Sequence, residues 1–121
     1  LREQIQFETD SAEIRPVSFP ILEQMANLLR RNPQFDMVEI EGHTDNKGRV
    51  AHNQELSYRR AAAVEKWLVS YGLSKTRFES KGYGDKRPID TNNTDEGRQN
   101  NRRVEFHIVT TTAPPAAWSW G

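Results

Sequence analysis

Stretches with a two-residue apolar repeat alternate along this chain with stretches repeating every three to four residues, and that alternation restricts the folds open to it. Ile5 and Phe7 alternate with Gln4, Gln6 and Glu8, the pattern of a half-buried strand. Leu22, Met25, Ala26 and Leu29 then fall at i, i+3, i+4 and i+7, which gives a helix one apolar stripe. Pro16 can open that helix, Arg30 and Arg31 complement its C-terminal dipole, and Asn32-Pro33 ends it. From Met37 to Glu41 the alternation returns, with Val38 and Ile40 on one face and Glu39 and Glu41 on the other. A second helix runs from about Asn53 to Tyr71, with Val64, Trp67, Leu68 and Tyr71 on one stripe and Gly72 as its C-cap. A third strand is expected over Arg77 to Tyr83, and Val104, Phe106 and Ile108 mark a fourth. The polar segment between them, Gly84 to Asn101, has room for one short helix after Thr94. Helices placed between strands require crossovers. The expected fold is therefore α/β (an α+β sandwich), a mixed four-stranded sheet with helices packed on one face, in the order β-α-β-α-β-(short α)-β.

A chain of 121 residues suits one domain. We place it at residues 1–110 and read 111–121, a Thr/Pro/Ala run with no period, as a disordered tail or linker in which Trp118 and Trp120 are incidental. No run of eighteen apolar residues is present, so the domain is not expected to insert into a membrane. No signal peptide is recognisable, and a start at Leu1 reads as a mature form or an excised fragment. Lys plus Arg equals Asp plus Glu, 17 each, which argues against nucleic acid as a partner. Without cysteine there is no disulfide and no thiolate metal site.

Polar residues that a solvated helix face does not explain collect in three places. Phe7-Glu8-Thr9-Asp10-Ser11 follows the first strand, and Gly42-His43-Thr44-Asp45-Asn46 follows the second. In the second helix, Asn53, Leu56, Ser57 and Arg60 share a face by their spacing. Loops after strands, beside a helix N-terminus, form a cleft suited to a small polar ligand. Asp45 can accept from an ammonium group, and Arg60 offers a planar fork matched to a carboxylate. Backbone amides around Thr9 and Asp10 can hold a second carboxylate. Together they suit a zwitterionic ligand. The alternative stays open at this point: Asp45 and Asn46 shape a turn, and Arg60 bridges to a neighbouring Glu. His43, Asp45 and His52 can be drawn as a metal site, and His43 with Ser57 as a base and nucleophile. The motifs that make such sites specific, HExxH and GxSxG, are missing. We therefore expect no enzyme, no catalytic residue, no metal ligand and no cofactor. His107 alternates with Phe106 and Ile108, which puts it on the exposed sheet face.

The same residues carry a family resemblance. Ile40-Glu41-Gly42-His43-Thr44-Asp45, Gly48, Asn53, Leu56-Ser57 and Arg59-Arg60-Ala61 resemble the central signature of OmpA-like domains. Phe7 to Ile14, Gly82-Tyr83-Gly84 with Pro88, and Asn93-Thr94 through Gly97-Arg98 to Asn101-Arg102-Arg103-Val104-Glu105 agree with it. The resemblance covers roughly Ile5 to Val109. It implies non-covalent binding of cell-wall peptidoglycan through the diaminopimelate residue of the stem peptide, without cleavage. Asp45 and Arg60 match the ligand-binding pair, Asn53 and Leu56 line the same pocket, and Phe7, Thr9 and Asp10 belong to the loop that closes over the ligand. Arg102 is carried over as a further ligand residue, with bracing of the pocket or simply of the fold as the alternative. Glu8 stands where many members have Asp. The resemblance further implies a periplasmic domain attached to the cell wall, in a parent protein tethered to the outer membrane, with homodimerisation left open. Two alternatives accompany it: the periplasmic domain of a flagellar motor stator protein, for which the intact Asn46 to His52 loop is less typical, and, more weakly, a wall hydrolase.

Overall fold

The stripes read from spacing meet in one core. Leu22, Met25, Ala26 and Leu29 face Val64 and Leu68, and both sets pack on Val38, Ile40, Val104 and Phe106. This computed structural model describes residues 2–110, so the expected tail with Trp118 and Trp120 lies outside the described residues. In chain order the elements are β1 (Arg2–Glu3), α1 (Phe19–Arg31), β2 (Met37–His43), α2 (Val50–Ser70), β3 (Phe78–Gly82), α3 (Asp95–Asn101) and β4 (Arg103–Thr110). Strand β2 is central. It pairs parallel with β3, Val38 opposite Phe78 through Gly42 opposite Gly82, and antiparallel with β4, Ile40 opposite Phe106 and His43 opposite Arg103. The result is a mixed α/β fold with three α-helices and a mixed three-stranded sheet, and the two-residue β1 adds to the free edge of β4. No helix among the described residues is long and apolar enough to cross a membrane.

The first strand differs from expectation. Ile5 is buried in the core, but Ile5 to Phe7 do not join the sheet. Phe7 instead bridges Ile14 locally, flanked by Glu8 N–H to Glu13 O (2.9 Å) and Arg15 N–H to Gln6 O (2.8 Å). The chain reverses inside this segment through Asp10, at φ 53°, a left-handed conformation that Asp tolerates better than most side chains. The stretch thus becomes a small lobe rather than an edge strand. Two helix starts also shift. Pro16–Ser18 forms a 3-10 turn before α1, and α2 begins at Val50 rather than near Asn53. Asn53 does not cap; its amide donates to Lys47 O (2.7 Å) and holds the preceding loop.

Two contacts fix α2 on the sheet. A Cβ on Gly42 would sit 2.0 Å from Ser57 O, and one on Gly82 would sit 2.4 Å from Tyr58 N. The helix therefore rests backbone to backbone on the ends of β2 and β3, which only glycine permits. The long polar connection to α3 is organised by Asn101, which is 0 % exposed. Its Oδ1 accepts from Ile89 N–H (2.8 Å) and Asp90 N–H (3.0 Å), and its Nδ2 donates to Asp90 O (3.0 Å) and Asn92 Oδ1 (2.8 Å). Thr94 caps α3 by accepting from Gly97 N–H (3.0 Å), as the short helix expected after Thr94 requires.

Candidate ligand-binding cleft

The lobe after β1, the third turn of α2 and the α3–β4 junction enclose a cleft of about 440 Å³, lined in part by Phe7, Thr9, Asp10, Arg60, Gln99 and Arg102. Arg60 reaches it from α2. Its Nε donates to Ser11 O (2.8 Å), its Nη2 leans on Glu8 O (3.4 Å), and its guanidinium lies 4.8 Å from the centre of the Phe7 ring. Two of five donors are thereby used to hold the lobe, and the others remain for a ligand. Burial lowers the Arg60 pKa, Asp10 opposes that shift and Arg102 adds to it, yet an arginine stays charged. Thr9 and Asp10 are the central residues of a turn closed by Ser11 N–H to Glu8 O (3.1 Å), so their own N–H groups are not used in closing it. The Asp10 carboxylate pairs with His52 Nε2 at 2.6 Å and ties the lobe to the start of α2.

Asp45 lies behind this wall and is 7 % exposed. Its Oδ1 accepts from Lys47 N–H (2.9 Å), and its Oδ2 accepts from Arg102 Nη1. Arg102 Nη2 in turn donates to Gln99 Oε1 (3.0 Å). Of the residues expected at the site, Phe7, Thr9, Asp10, Arg60 and Arg102 line the cleft. Asp45, Asn53 and Leu56 are buried beside it and do not line it. The alternative of Arg60 bridging to a Glu side chain is not what is seen, because its contacts to the lobe go to backbone carbonyls. Asp45 does shape a turn, through Lys47 N–H, and it also holds Arg102. Gln99 was missed from sequence. Its spacing of three residues before Arg102 in a short helix is the signal that points to it.

The enzyme-like groupings do not assemble. His43 Nε2 faces Glu41 Oε1 at 3.2 Å and His52 faces Asp10, so neither joins Asp45. Ser57 Oγ donates to Gln54 O and accepts from Gly84 N–H, both at 2.9 Å. Gly42 touches Ser57, so its neighbour His43 points from the opposite face of β2.

That opposite face carries buried polar groups. Glu41 is 6 % exposed and His43 is 3 % exposed. Burial pushes the Glu41 carboxyl up to about 7, and the nearby Glu39 adds to the rise. Burial pulls the His43 imidazole down to about 4, with the Arg103 charge acting the same way.

Comparison with known proteins agrees with the motifs. The sequence profile described as "OmpA family" matches residues 6–102. This chain belongs to that family. The OmpA-family domain is 40% identical over 104 residues to outer membrane porin F of Pseudomonas fluorescens, covering 86% of this chain and 32% of that protein. It is 38% identical over 100 residues to the peptidoglycan-associated lipoprotein of Pseudomonas putida, covering 83% of this chain and 59% of that protein. It thus spans about a third to three-fifths of the length of these curated relatives. Among solved structures it resembles the cell wall anchor of the T6SS from Pseudomonas aeruginosa, with a TM-score of 0.76 at 33% identity, over 92% of this chain and 76% of that one.

Proposed function

We propose that this OmpA-family domain binds peptidoglycan non-covalently and anchors its parent protein to the cell wall, in the periplasm beside the outer membrane. The observation that carries this reading is the cleft itself. Arg60 and Arg102 present guanidinium donors, Asp10 presents a carboxylate, Phe7 supplies an apolar floor, and Asp45 lies buried behind Arg102, paired with it. Relatives of this chain are named for a peptidoglycan-associated lipoprotein and for a cell wall anchor, which supports the same reading.

The ligand that fits this chemistry is the diaminopimelate residue of a stem peptide. Its free end carries an ammonium and a carboxylate on one carbon. The unused donors of Arg60 take the carboxylate. Asp45 takes the ammonium, exchanging part of its bond to Arg102 for the ligand, and the amides of Thr9 and Asp10 receive a second carboxylate. Asn53 and Leu56 hold the shape of the wall behind them. Lysine at that stem position lacks the carboxylate and leaves Arg60 without a partner, so the site discriminates between the two wall chemistries. The relatives are named for wall association and not for a hydrolase, which supports reading this cleft as a binding module.

The test is a pull-down with purified sacculi. Asp45→Ala and Arg60→Ala are expected to weaken binding by about 2–5 kcal/mol while the domain stays folded. The many stem peptides of a sacculus multiply a modest single-site affinity, so soluble muropeptide should be used for the quantitative comparison. Retention of both variants on the wall at wild-type levels overturns the assignment.

A further inference from the structure

We propose that the helix-free face of the sheet holds a divalent transition-metal ion of the zinc type, bound by Glu41, His43, Glu105 and His107. The arrangement follows from register. Glu41 stands opposite Glu105, Glu39 opposite His107, and His43 opposite Arg103 across the antiparallel pair β2–β4. Alternation turns all of these away from α1 and α2. Directly opposed side chains start only about 4.5–5.5 Å apart at Cβ, within reach of a shared ion.

The donor atoms already converge. His43 Nε2 lies 3.2 Å from Glu41 Oε1, and the ligand atoms of Glu41, His43 and Glu105 all fall within 4.8 Å of one another. His107 Nε2 stands next to this group, at 2.7 Å from Glu105 Oε1 and 3.5 Å from Glu41 Oε1, and is the fourth ligand of the proposal. Bonds of roughly 2.0–2.2 Å to a tetrahedral ion separate neighbouring donors by about 3.3–3.6 Å, so Glu41, His43 and Glu105 have to draw together and His107 has to turn in towards His43. Two imidazoles with two carboxylates suit zinc and its neighbours rather than calcium or magnesium, which take oxygen alone.

Two further observations fit a bound ion. One carboxylate is braced from behind, as metal ligands usually are: Glu105 Oε2 accepts from Arg103 Nε at 2.6 Å, which leaves Oε1 for the ion. The Arg103 charge, which opposes a cation, is drawn off by that carboxylate and by the carbonyls of Asn101 and Arg87. Finally, His107 is half-exposed and gives the ion a way in, while Glu41 and His43 are shielded from water. A bound ion would cross-link β2 and β4 just before Asp45 on one strand and just after Arg102 on the other.

The experiment uses the full chain, stripped with a chelator and titrated with Zn2+ alone, read by calorimetry and by thermal unfolding. Co2+ then serves as a visible reporter of tetrahedral coordination. One equivalent of Zn2+ should bind and raise the Tm. His107→Ala, at a half-exposed position that the fold tolerates, should weaken binding by roughly tenfold or more with the metal-free Tm unchanged. Glu41→Gln should also weaken binding, judged against its own metal-free Tm, and circular dichroism checks that both variants are folded. The proposal fails if Zn2+ neither binds nor stabilises up to the millimolar range. It fails equally if both variants bind like the wild type, or if His52→Ala abolishes binding, which puts the ion on the exposed His52–Asp10 pair.

Discussion

Replacing Gly42 by alanine tests whether the position of α2 rests on backbone contact. The added Cβ would lie 2.0 Å from Ser57 O and 2.8 Å from Ser57 C. An ordinary carbon–oxygen contact needs about 3.4 Å, so the helix or the strand must give by roughly 1.4 Å. No side-chain rotation can relieve this, because both obstacles are backbone atoms. Overpacking usually costs about 1–3 kcal/mol, and a clash against a helix backbone belongs at the upper end. With a urea m-value of about 1.5 kcal/mol/M for a small domain, a loss of about 3 kcal/mol moves the midpoint down by about 2 M. Gly82→Ala clashes with the same turn of α2, at Tyr58 N and Ser57 Oγ. One displacement of the helix would then accommodate both methyl groups, so the double variant should lose less than the sum of the singles. Urea unfolding followed by circular dichroism measures all three. A midpoint shift under about 0.3 M for Gly42→Ala refutes the reasoning, as does strict additivity of the pair.

Asn101→Ala removes an amide that makes four hydrogen bonds in a fully buried site; at about 1 kcal/mol each, a loss of about 3–4 kcal/mol is expected in chemical unfolding. A double-mutant cycle on Asp45 and Arg102 should give a coupling of about 1–2 kcal/mol, discounted because the Arg102 side chain is 39% exposed, and a coupling near zero in urea unfolding would separate them. The pH profile should turn on Glu41 and His43. The raised Glu41 pKa favours the protonated native form, so its contribution is complete below 4.5 and lost as pH rises through about 7. The lowered His43 pKa favours the neutral native form, so its contribution is complete above 6.5 and lost as pH falls through about 4. Between these limits the two slopes oppose, and the pair together contributes almost no pH dependence; Glu41→Gln should expose the His43 term, adding a rise with pH of up to about 1.4 kcal/mol per unit in unfolding experiments.

Much of the fold was legible because it depends on period alone. The α1 stripe, the Val38–Ile40 alternation and the Val64–Leu68 stripe are all core in the structure. The first strand was not legible. Alternation at Ile5 and Phe7 is the same whether the backbone pairs with a sheet or bridges locally to Ile14, and only the reversal at Asp10 decides between them. The start of α2 was misplaced because Asn53, a good capping residue, spends its amide on Lys47 O, while Arg49 enters the helix without a side-chain cap. At the site, the cleft-lining residues of the lobe and α2 were recoverable from motif positions. The Asp45–Arg102 pair was not, since 57 residues separate the partners and no local pattern joins them. Arg60 was read as a free fork; its hold on the Ser11 and Glu8 carbonyls depends on how the lobe curls, which composition does not encode.

The single amide of Asn101 has a kinetic consequence for the segment it fastens. Ile89 N–H and Asp90 N–H hang on one oxygen, and Asp90 O and Asn92 Oδ1 hang on the attached nitrogen. These groups cannot be released one at a time without leaving a buried amide half-satisfied. The loop should therefore open as a cooperative unit, with the Ile89 and Asp90 amide hydrogens exchanging at a common opening free energy below that of global unfolding. Asn101 directly precedes Arg102, so each opening would also loosen one wall of the cleft. Ligand seated against Arg102 should slow exchange at Ile89 and Asp90, residues that do not line the cleft.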